Sequence, residues 1–300
     1  SSPSSPRSPG SSTPRGYGGQ TDHCVFTTRE QVGFVPEPPT DGERITFTQW
    51  ERWNSRLRPF LMPRATRDLY QEVVGTPGVN RLGDVAQVSV GYVTGANAFF
   101  HMRPSEARRR GIAAKFLQPT VRNGRMLRAS AITGTTVDGW IRRDDPVLLL
   151  RLQSGDVLPR SVARYLATPE AEAARGAYKC RTRDPWYAVP QVHVPDAFLS
   201  YMSGVTPAMV ANDAGCVCTN SVHAVRLNGK MAVVELQQRW GDPLTALSCE
   251  IEGHPLGGGM LKIEPREAGR VLVQARTTPS QADLVCISDG TAETLDDLAL

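Results

Sequence analysis

Arginine set beside asparagine, threonine and paired aromatics is a combination suited to phosphates and base edges, and a few stretches of this sequence concentrate it. Gly91-Tyr-Val-Thr-Gly-Ala-Asn-Ala-Phe-Phe100 reads as a strand that ends in a tight turn at Thr-Gly-x-Asn and resumes in Phe99-Phe100, with the two aromatics anchoring the turn from behind. Such a turn presents Thr94 and Asn97 outward. An asparagine amide can bond both N6 and N7 of adenine, and a threonine hydroxyl serves phosphate or base. The same spacing fits a structural turn in which Asn97 caps its own backbone. Arg181-Thr-Arg-Asp-Pro-Trp-Tyr187 joins Arg181 and Arg183 to Trp186 and Tyr187. That set suits phosphate neutralisation beside base stacking, or else a buried aromatic pair with Arg183 stacked on it. Thr219-Asn220-Ser-Val-His223 offers small polar groups and an imidazole along an extended segment, and Gly257-Gly-Gly-Met-Leu-Lys262 permits close backbone approach through Gly258.

Catalytic patterns are missing. The sequence contains no Gly-x-Ser-x-Gly elbow, His-Glu-x-x-His pair or phosphate loop, and no strand followed by Gly-x-Gly and a helix. Its five histidines lack metal-ligand spacing, and Cys216-Val-Cys218 reads as two buried strand cysteines, not half of a zinc site. No catalytic residue and no metal are therefore expected on this chain. Asp184-Pro-Trp-Tyr187 superficially resembles the Asp/Asn-Pro-Pro-Tyr/Phe loop of amino-methyltransferases, but Trp186 stands at the second proline and no cofactor pocket accompanies it.

Charge is distributed unevenly. Residues 101–185 carry 17 Lys/Arg against 8 Asp/Glu, a net +9, whereas residues 186–300 carry 7 against 13. Of the 17 cations 15 are arginine, whose flat fork matches phosphates and guanine edges. Arg103, Arg122 and Arg125 fall in this segment with His101, and the whole stretch is expected to lie along a nucleic-acid backbone. A second reading makes the same face a docking surface for an acidic protein partner.

The elements that must position these residues follow from pattern and punctuation. Apolar residues make up 40% of 300, enough for a self-sufficient core, and no apolar run approaches the ~18 residues that span a bilayer. Six sparse cysteines fit a reduced, cytoplasmic setting. Residues 1–22 are rich in serine, proline and glycine and are expected to be disordered. The start at Ser1, without an initiator methionine or apolar leader core, suggests a fragment or a processed product. Residues 23–79 read as a linker or the remnant of a preceding domain, with Trp50, Trp53, Leu57 and Leu61 at helical spacing over Phe47–Leu61, a short amphipathic helix broken near Pro59 and Pro63, and a second helix over Ala65–Val74. From 80 to 276 strands and helices alternate irregularly, which predicts a mixed α+β domain: a mixed sheet with flanking helices. Arg81–Val93, Pro146–Gln153, Val192–Val194, Phe198–Met202 and Cys216–Leu227 are its strand candidates. Helices are expected from Pro104 to about Arg110, over Leu158–Ala174 with a division at Pro169, over Met231–Trp240 and over Leu244–Glu252. Residues 277–300 read as an acidic tail.

Taken in order, these pieces resemble the C-terminal target-recognition region of adenine-N6 DNA methyltransferases of restriction-modification systems, of the type I-like or fused type II kind. The resemblance rests on Leu82-Gly-Asp-Val-Ala leading into Gly91–Phe100, Tyr165-Leu166, Arg183–Tyr187, Asn212-Asp213, Thr219-Asn220 with His223, and Gly257-Gly-Gly before Leu261-Lys262-Ile263. It covers about residues 80–275, and Leu256 departs from the aromatic that commonly precedes the three glycines. The resemblance implies double-stranded DNA as partner and target-site choice as task. It also implies a separate or missing catalytic domain that binds S-adenosylmethionine and methylates a flipped adenine; no cofactor is expected on this chain itself. The residues it places on DNA are those named above: Thr94, Asn97, His101, Arg103, Arg122, Arg125, Arg181, Arg183, Trp186, Tyr187, Asn220, His223, Gly258 and Lys262.

Overall fold

The computed structural model describes residues 21–27, 42–204 and 206–274; the expected disordered start and acidic tail lie outside the described residues, apart from Thr21 and Asp22. The chain divides into a smaller unit, described up to Pro77, and a larger one from Gly78. In the smaller unit His23–Phe26 pairs antiparallel with Glu43–Thr46. Thr46 and Gln49 then cap each other reciprocally to start a helix over Phe47–Arg52. That helix ends sooner than the prolines require, because Asn54 and Ser55 take left-handed backbone angles (φ 53° and 58°); at Pro59 and Pro63, where the sequence places the break, the chain makes a 3-10 turn over Arg58–Leu61 before the Arg64–Val74 helix. Trp53 stacks on Tyr70 at 5.5 Å, and buried Arg67 pairs with Glu43 while donating to the Met62 carbonyl at 2.8 Å.

The larger unit carries the mixed α+β architecture read from the sequence. Its five-stranded sheet runs Ala86–Val90, Val222–Leu227, Ala197–Ser200, Met209–Asn212, Ala131–Ile132, antiparallel except for the last pair. A four-stranded sheet runs Val217–Cys218, Leu117–Val121, Leu148–Leu150, His101–Met102, parallel only in its first pair. Met202–Ser203, Met260–Lys262 and His254–Leu256 make a small third sheet. Among the described residues no helix is long and apolar enough to cross a membrane.

Two predicted strands are each broken, and for physical reasons. Arg81–Val93 is interrupted by a one-turn helix, Leu82–Val85, because the Asp84 carboxylate accepts from the Arg81 amide at 2.7 Å and Gly83 approaches the Gly269 carbonyl so closely that a Cβ would sit 2.9 Å from its oxygen. Cys216–Leu227 divides at Thr219–Ser221, so that Val217–Cys218 joins one sheet and Val222–Leu227 the other. The preceding segment makes the same transfer: Val90 ends in the five-stranded sheet, and Tyr92 bridges in parallel to Thr219 beside the four-stranded one. The two transfers cross at Gly91, where a Cβ would lie 2.2 Å from the Cys218 oxygen and 2.3 Å from the Thr219 oxygen. Only glycine fits.

Helices cover the four-stranded sheet. Pro104–Arg110 ends at left-handed Gly111, and Arg160–Leu166 is separated from Pro169–Gly176 by the Thr168 cap, as the proline punctuation predicts. Under them Phe99 stacks on Tyr165 at 4.6 Å, within a core that also holds Phe100, Met102, Leu149 and Leu150. A second core lies between the five-stranded sheet and the Val233–Trp240 and Pro243–Glu252 helices, through Leu199, Val225, Leu236 and Trp240. The expected strand at Val192–Val194 is an irregular connection instead.

Candidate nucleic-acid interface

The pairing pattern collects the sequence-singled residues at one end of the four-stranded sheet. Leu117–Val121 and Val217–Cys218 run parallel, His101–Met102 runs the same way, and Leu148–Leu150 runs against them. Arg122, Thr219 and Arg103 therefore all emerge at the same end, and the Tyr92–Thr219 bridge sends Val93 and Thr94 there too. At about 4.8 Å between neighbouring strands, the row Val93, Thr219–Asn220, Arg122, Val147, Arg103 extends over roughly 19 Å.

Short-range bonds tie the row together. The Thr219 hydroxyl donates to the Arg122 carbonyl at 2.7 Å, and the Asn220 amide donates to the Tyr92 carbonyl at 3.0 Å. Arg183 donates from both terminal nitrogens, to the Val93 carbonyl at 2.7 Å and the Thr94 carbonyl at 2.8 Å. Lys179, on the Tyr178–Arg181 helix, sits against Gly95, whose φ is 82°. Asn97 is exposed; its Oδ1 accepts from the Thr94 hydroxyl at 2.5 Å, which leaves its two N–H groups for a ligand. Asn220, Arg125 and Arg181 are exposed and Arg122 is half-buried. None of these arginines has a carboxylate partner among the described residues.

One further surface aromatic escaped the sequence reading. Tyr178 is 65% exposed, with Lys179 Nζ 5.8 Å and Arg181 Cζ 5.6 Å from its ring centre. The signal was present: Tyr178 stands three residues before Arg181, the spacing that puts two side chains on one helix face.

Several expected readers are interior instead. Thr94 is 1% exposed, and its hydroxyl serves Ala96 and Asn97 within the turn. His101 is buried, with Nε2 2.8 Å from the Tyr92 hydroxyl, which in turn lies 2.7 Å from the Thr120 hydroxyl. Desolvation, helped by the Arg122 charge, lowers the His101 imidazole to about 4. His223 is fully buried and donates from Nε2 to the Ile263 carbonyl at 2.7 Å, so it joins the five-stranded sheet to the third sheet; burial holds its pKa below the ordinary histidine value. These three touch no ligand directly, because the sheets cover them. Trp186 and Tyr187 are part-buried, with Trp186 5.5 Å from Phe99, so they anchor the turn from behind, and Arg183 binds carbonyls and does not stack on them.

The remaining candidates are not joined to the Arg122–Arg183 network. Arg103 lies at the same sheet end but donates to the Asp144 carbonyl at 2.7 Å, next to an Asp144 carboxylate that Ser105 hydrogen bonds hold below the usual range. Gly258 turns the exposed hairpin of the third sheet at φ 72°. Lys262 is neutralised there by Glu264 at 2.8 Å and lies 5.3 Å over the Tyr201 ring. Asn212 closes its own turn, donating to the Pro195 and Cys216 carbonyls at 2.7 and 2.8 Å. Burial pushes the Cys216 and Cys218 thiols up to about 12, and among the described residues no three His, Cys, Asp or Glu side chains are grouped to hold a metal ion.

Relatives can now be set beside this geometry. The chain is 21% identical over 189 residues to the Type II methyltransferase M.AccI of Acinetobacter calcoaceticus, an alignment covering 62% of this chain and 35% of that protein. It thus spans about a third of the length of the curated relative it matches. Among solved structures, the type IIG restriction endonuclease BpuSI aligns at a TM-score of 0.45 and 10% identity, over 84% of this chain and 30% of that one. A structure from the type I R-M system aligns at a TM-score of 0.32 and 12% identity, over 84% and 50%. Neither likeness is close enough to bear on the fold. Residues 54–295 match the family described as the C-terminal domain of the Type II methyltransferase M.Eco57I, and a match over most of the chain decides the matter: the protein belongs to this family of restriction-modification methyltransferase C-terminal domains.

Proposed function

We propose that this chain is the DNA-binding, target-selecting part of a cytoplasmic, S-adenosylmethionine-dependent DNA adenine-N6 methyltransferase, with methyl transfer performed by a catalytic domain beyond these residues or on a partner subunit. The observation that carries the reading is the row at the end of the four-stranded sheet. There Arg122, Arg125, Lys179 and Arg181 lack carboxylate partners among the described residues, and Asn97 and Asn220 stand exposed between them. The strand ends from Val93 to Arg122 span roughly 10 Å, about three base pairs at about 3.4 Å each. Each phosphate neutralised by an arginine releases a counterion, and each good bidentate base contact adds about 1–3 kcal/mol of discrimination. A duplex held this way is positioned for a neighbouring domain to extrude a base, at a cost of a few kcal/mol.

The described residues do not fit the cofactor. Among them Ala86–Val90 does run through Gly91 and Gly95 into a helix, but that helix is the single turn Asn97–Phe100, and the Thr94–Asn97 bond closes the turn before it, so no open glycine-rich cradle at the N-terminus of a full helix is formed there.

Titration of a labelled duplex at two salt concentrations tests the reading. The parent should bind with steep salt dependence, and Arg122→Ala, Arg125→Ala and Arg181→Ala should each flatten the slope of log K against log salt by about 0.9. Absence of duplex binding at low salt, or slopes equal to the parent's, would overturn it; capture of an acidic protein in place of duplex would favour the docking alternative.

A further inference from the structure

Beside the row lies a groove of about 320 Å³ on the face of the Ala86–Val90 and Val222–Leu227 strands, walled on the other side by the irregular 191–195 connection. Gln87 stands directly across from Arg226, and Ser89 follows two residues along on the same face. Gln191 and His193 complete the polar lining. None of these five side chains makes a hydrogen bond or an ion pair with a described residue, although all five are exposed at the same concavity. Among the described residues Gln191 is moreover one of four non-glycine residues with a left-handed backbone (φ 56°), a conformation that costs about 1–2 kcal/mol and tends to persist where a ligand is met.

We infer that this groove reads base edges of duplex DNA, with the Arg226 fork directed at guanine and the Gln87 amide at adenine. The inference rests on the DNA-binding role proposed above and names its reading surface. Three observations carry it. First, the lining contains no carboxylate and mixes a pure donor with amides and a hydroxyl that both donate and accept. Phosphate would use only donors, whereas base edges present acceptors and donors side by side. Second, Ala86–Val90 is the outermost strand of its sheet, and a two-stranded ribbon is an element that the major groove admits. Half-exposed Val90 lines the same groove and offers an apolar contact for a thymine methyl. Third, Gly91, Tyr92 and Cys218 form part of the lining, and the chain passes directly from them into Val93 and Thr219–Asn220. A duplex gripped by the row therefore brings its bases to the groove.

The test selects bound duplexes from a pool randomised over a central window, using the full chain, and pairs the selection with titrations at two salt concentrations. The parent should enrich a sequence preference. Arg226→Ala, and equally Arg226→Lys, should erase the preference at one position, a drop of roughly 5- to 150-fold in discrimination, with the salt slope unchanged. Gln87→Ala should do the same at a different position. Because these side chains have no partners among the described residues, the variants should melt within a degree or two of the parent. Uniform weakening on all sequences with a slope lower by about 0.9 would show that Arg226 contacts phosphate, and would sink this inference while leaving DNA binding intact. Binding by the parent without any enriched sequence would also overturn it. Failure of the parent to bind duplex at low salt would instead remove the proposed function itself.

Discussion

The interior of the four-stranded sheet and the grooved face of the five-stranded sheet use polar side chains in opposite ways. Inside the four-stranded sheet the buried side chains bond one another: His101 Nε2, Tyr92 and Thr120 form a chain, and Arg183 spends both terminal nitrogens on the turn it supports. On the grooved face of the five-stranded sheet, Gln87, Ser89 and Arg226 engage nothing among the described residues. The contrast teaches that residue type does not mark a binding group in this molecule. Its neighbours do. A histidine or threonine with partners holds shape, and an arginine without them is free for a ligand. Substitutions should accordingly separate into those that cost stability and those that cost recognition.

The largest expected effect lies where the sheets meet and both properties fail together. Gly91→Val would drive a side chain into the Cys218 and Thr219 carbonyls, at 2.2 and 2.3 Å from its Cβ, and should cost roughly 4 kcal/mol. Thermal unfolding would show a midpoint lower by about 10 °C; an unchanged midpoint would mean that the crossing is looser than drawn.

Next comes the buried imidazole. The folded value of His101, about 4, lies below the ordinary 6.5, so between these pH values the unfolded chain binds a proton that the folded one refuses. Stability is then fully present above about pH 6.5 and declines as pH falls toward 4, by up to roughly 3 kcal/mol, with His223 adding in the same direction. Urea titrations across that window should show the decline, and His101→Gln should flatten it; equal slopes in parent and variant would place the histidine in solvent.

Smallest, and sharpest for the comparison, is the pair of neighbouring arginines. Arg183→Ala should lower stability by about 2 kcal/mol through the loss of two charge-assisted hydrogen bonds, whereas exposed Arg181→Ala should stay within about 0.5 kcal/mol. Denaturant midpoints distinguish them. Equal losses would blur the division between structural and ligand-facing cations.

Much of the larger unit was legible because local chemistry decides it. Pro104 and Gly111 bracket a helix that the sequence delimits, and Pro169 divides the next pair where proline must. The family resemblance was legible as well, since it depends on order along the chain. Less so were the strand interruptions at Leu82–Val85 and Thr219–Ser221, because both are set by contacts with distant residues, Gly269 in one case and the crossing at Gly91 in the other. A turn does follow the strand after Val90, yet Phe99 and Phe100, expected to resume the strand, belong to a one-turn helix over Asn97–Phe100, and the outward threonine faces in; periodicity reports which residues share a face, not which face the neighbouring sheet covers. Gln87 and Ser89 were not legible as site residues, because the alternation with Val88 and Val90 marks a strand with one polar face and does not say what that face meets. Arg226, Gln191 and His193 come from other segments, and only the sheet register brings them together.

Both passages of the chain from one sheet to the other run through a gap only wide enough for a residue with no side chain. The mutual setting of the sheets is thus mechanically clamped, and whatever grips at one and discriminates at the other must move as a single rigid piece. A recombinant that exchanged the strands carrying Gln87 and Arg226 for those of a relative would inherit new preferences only if residue 91 and residues 218–219 travelled with them. Otherwise the grip and the reading would be out of phase.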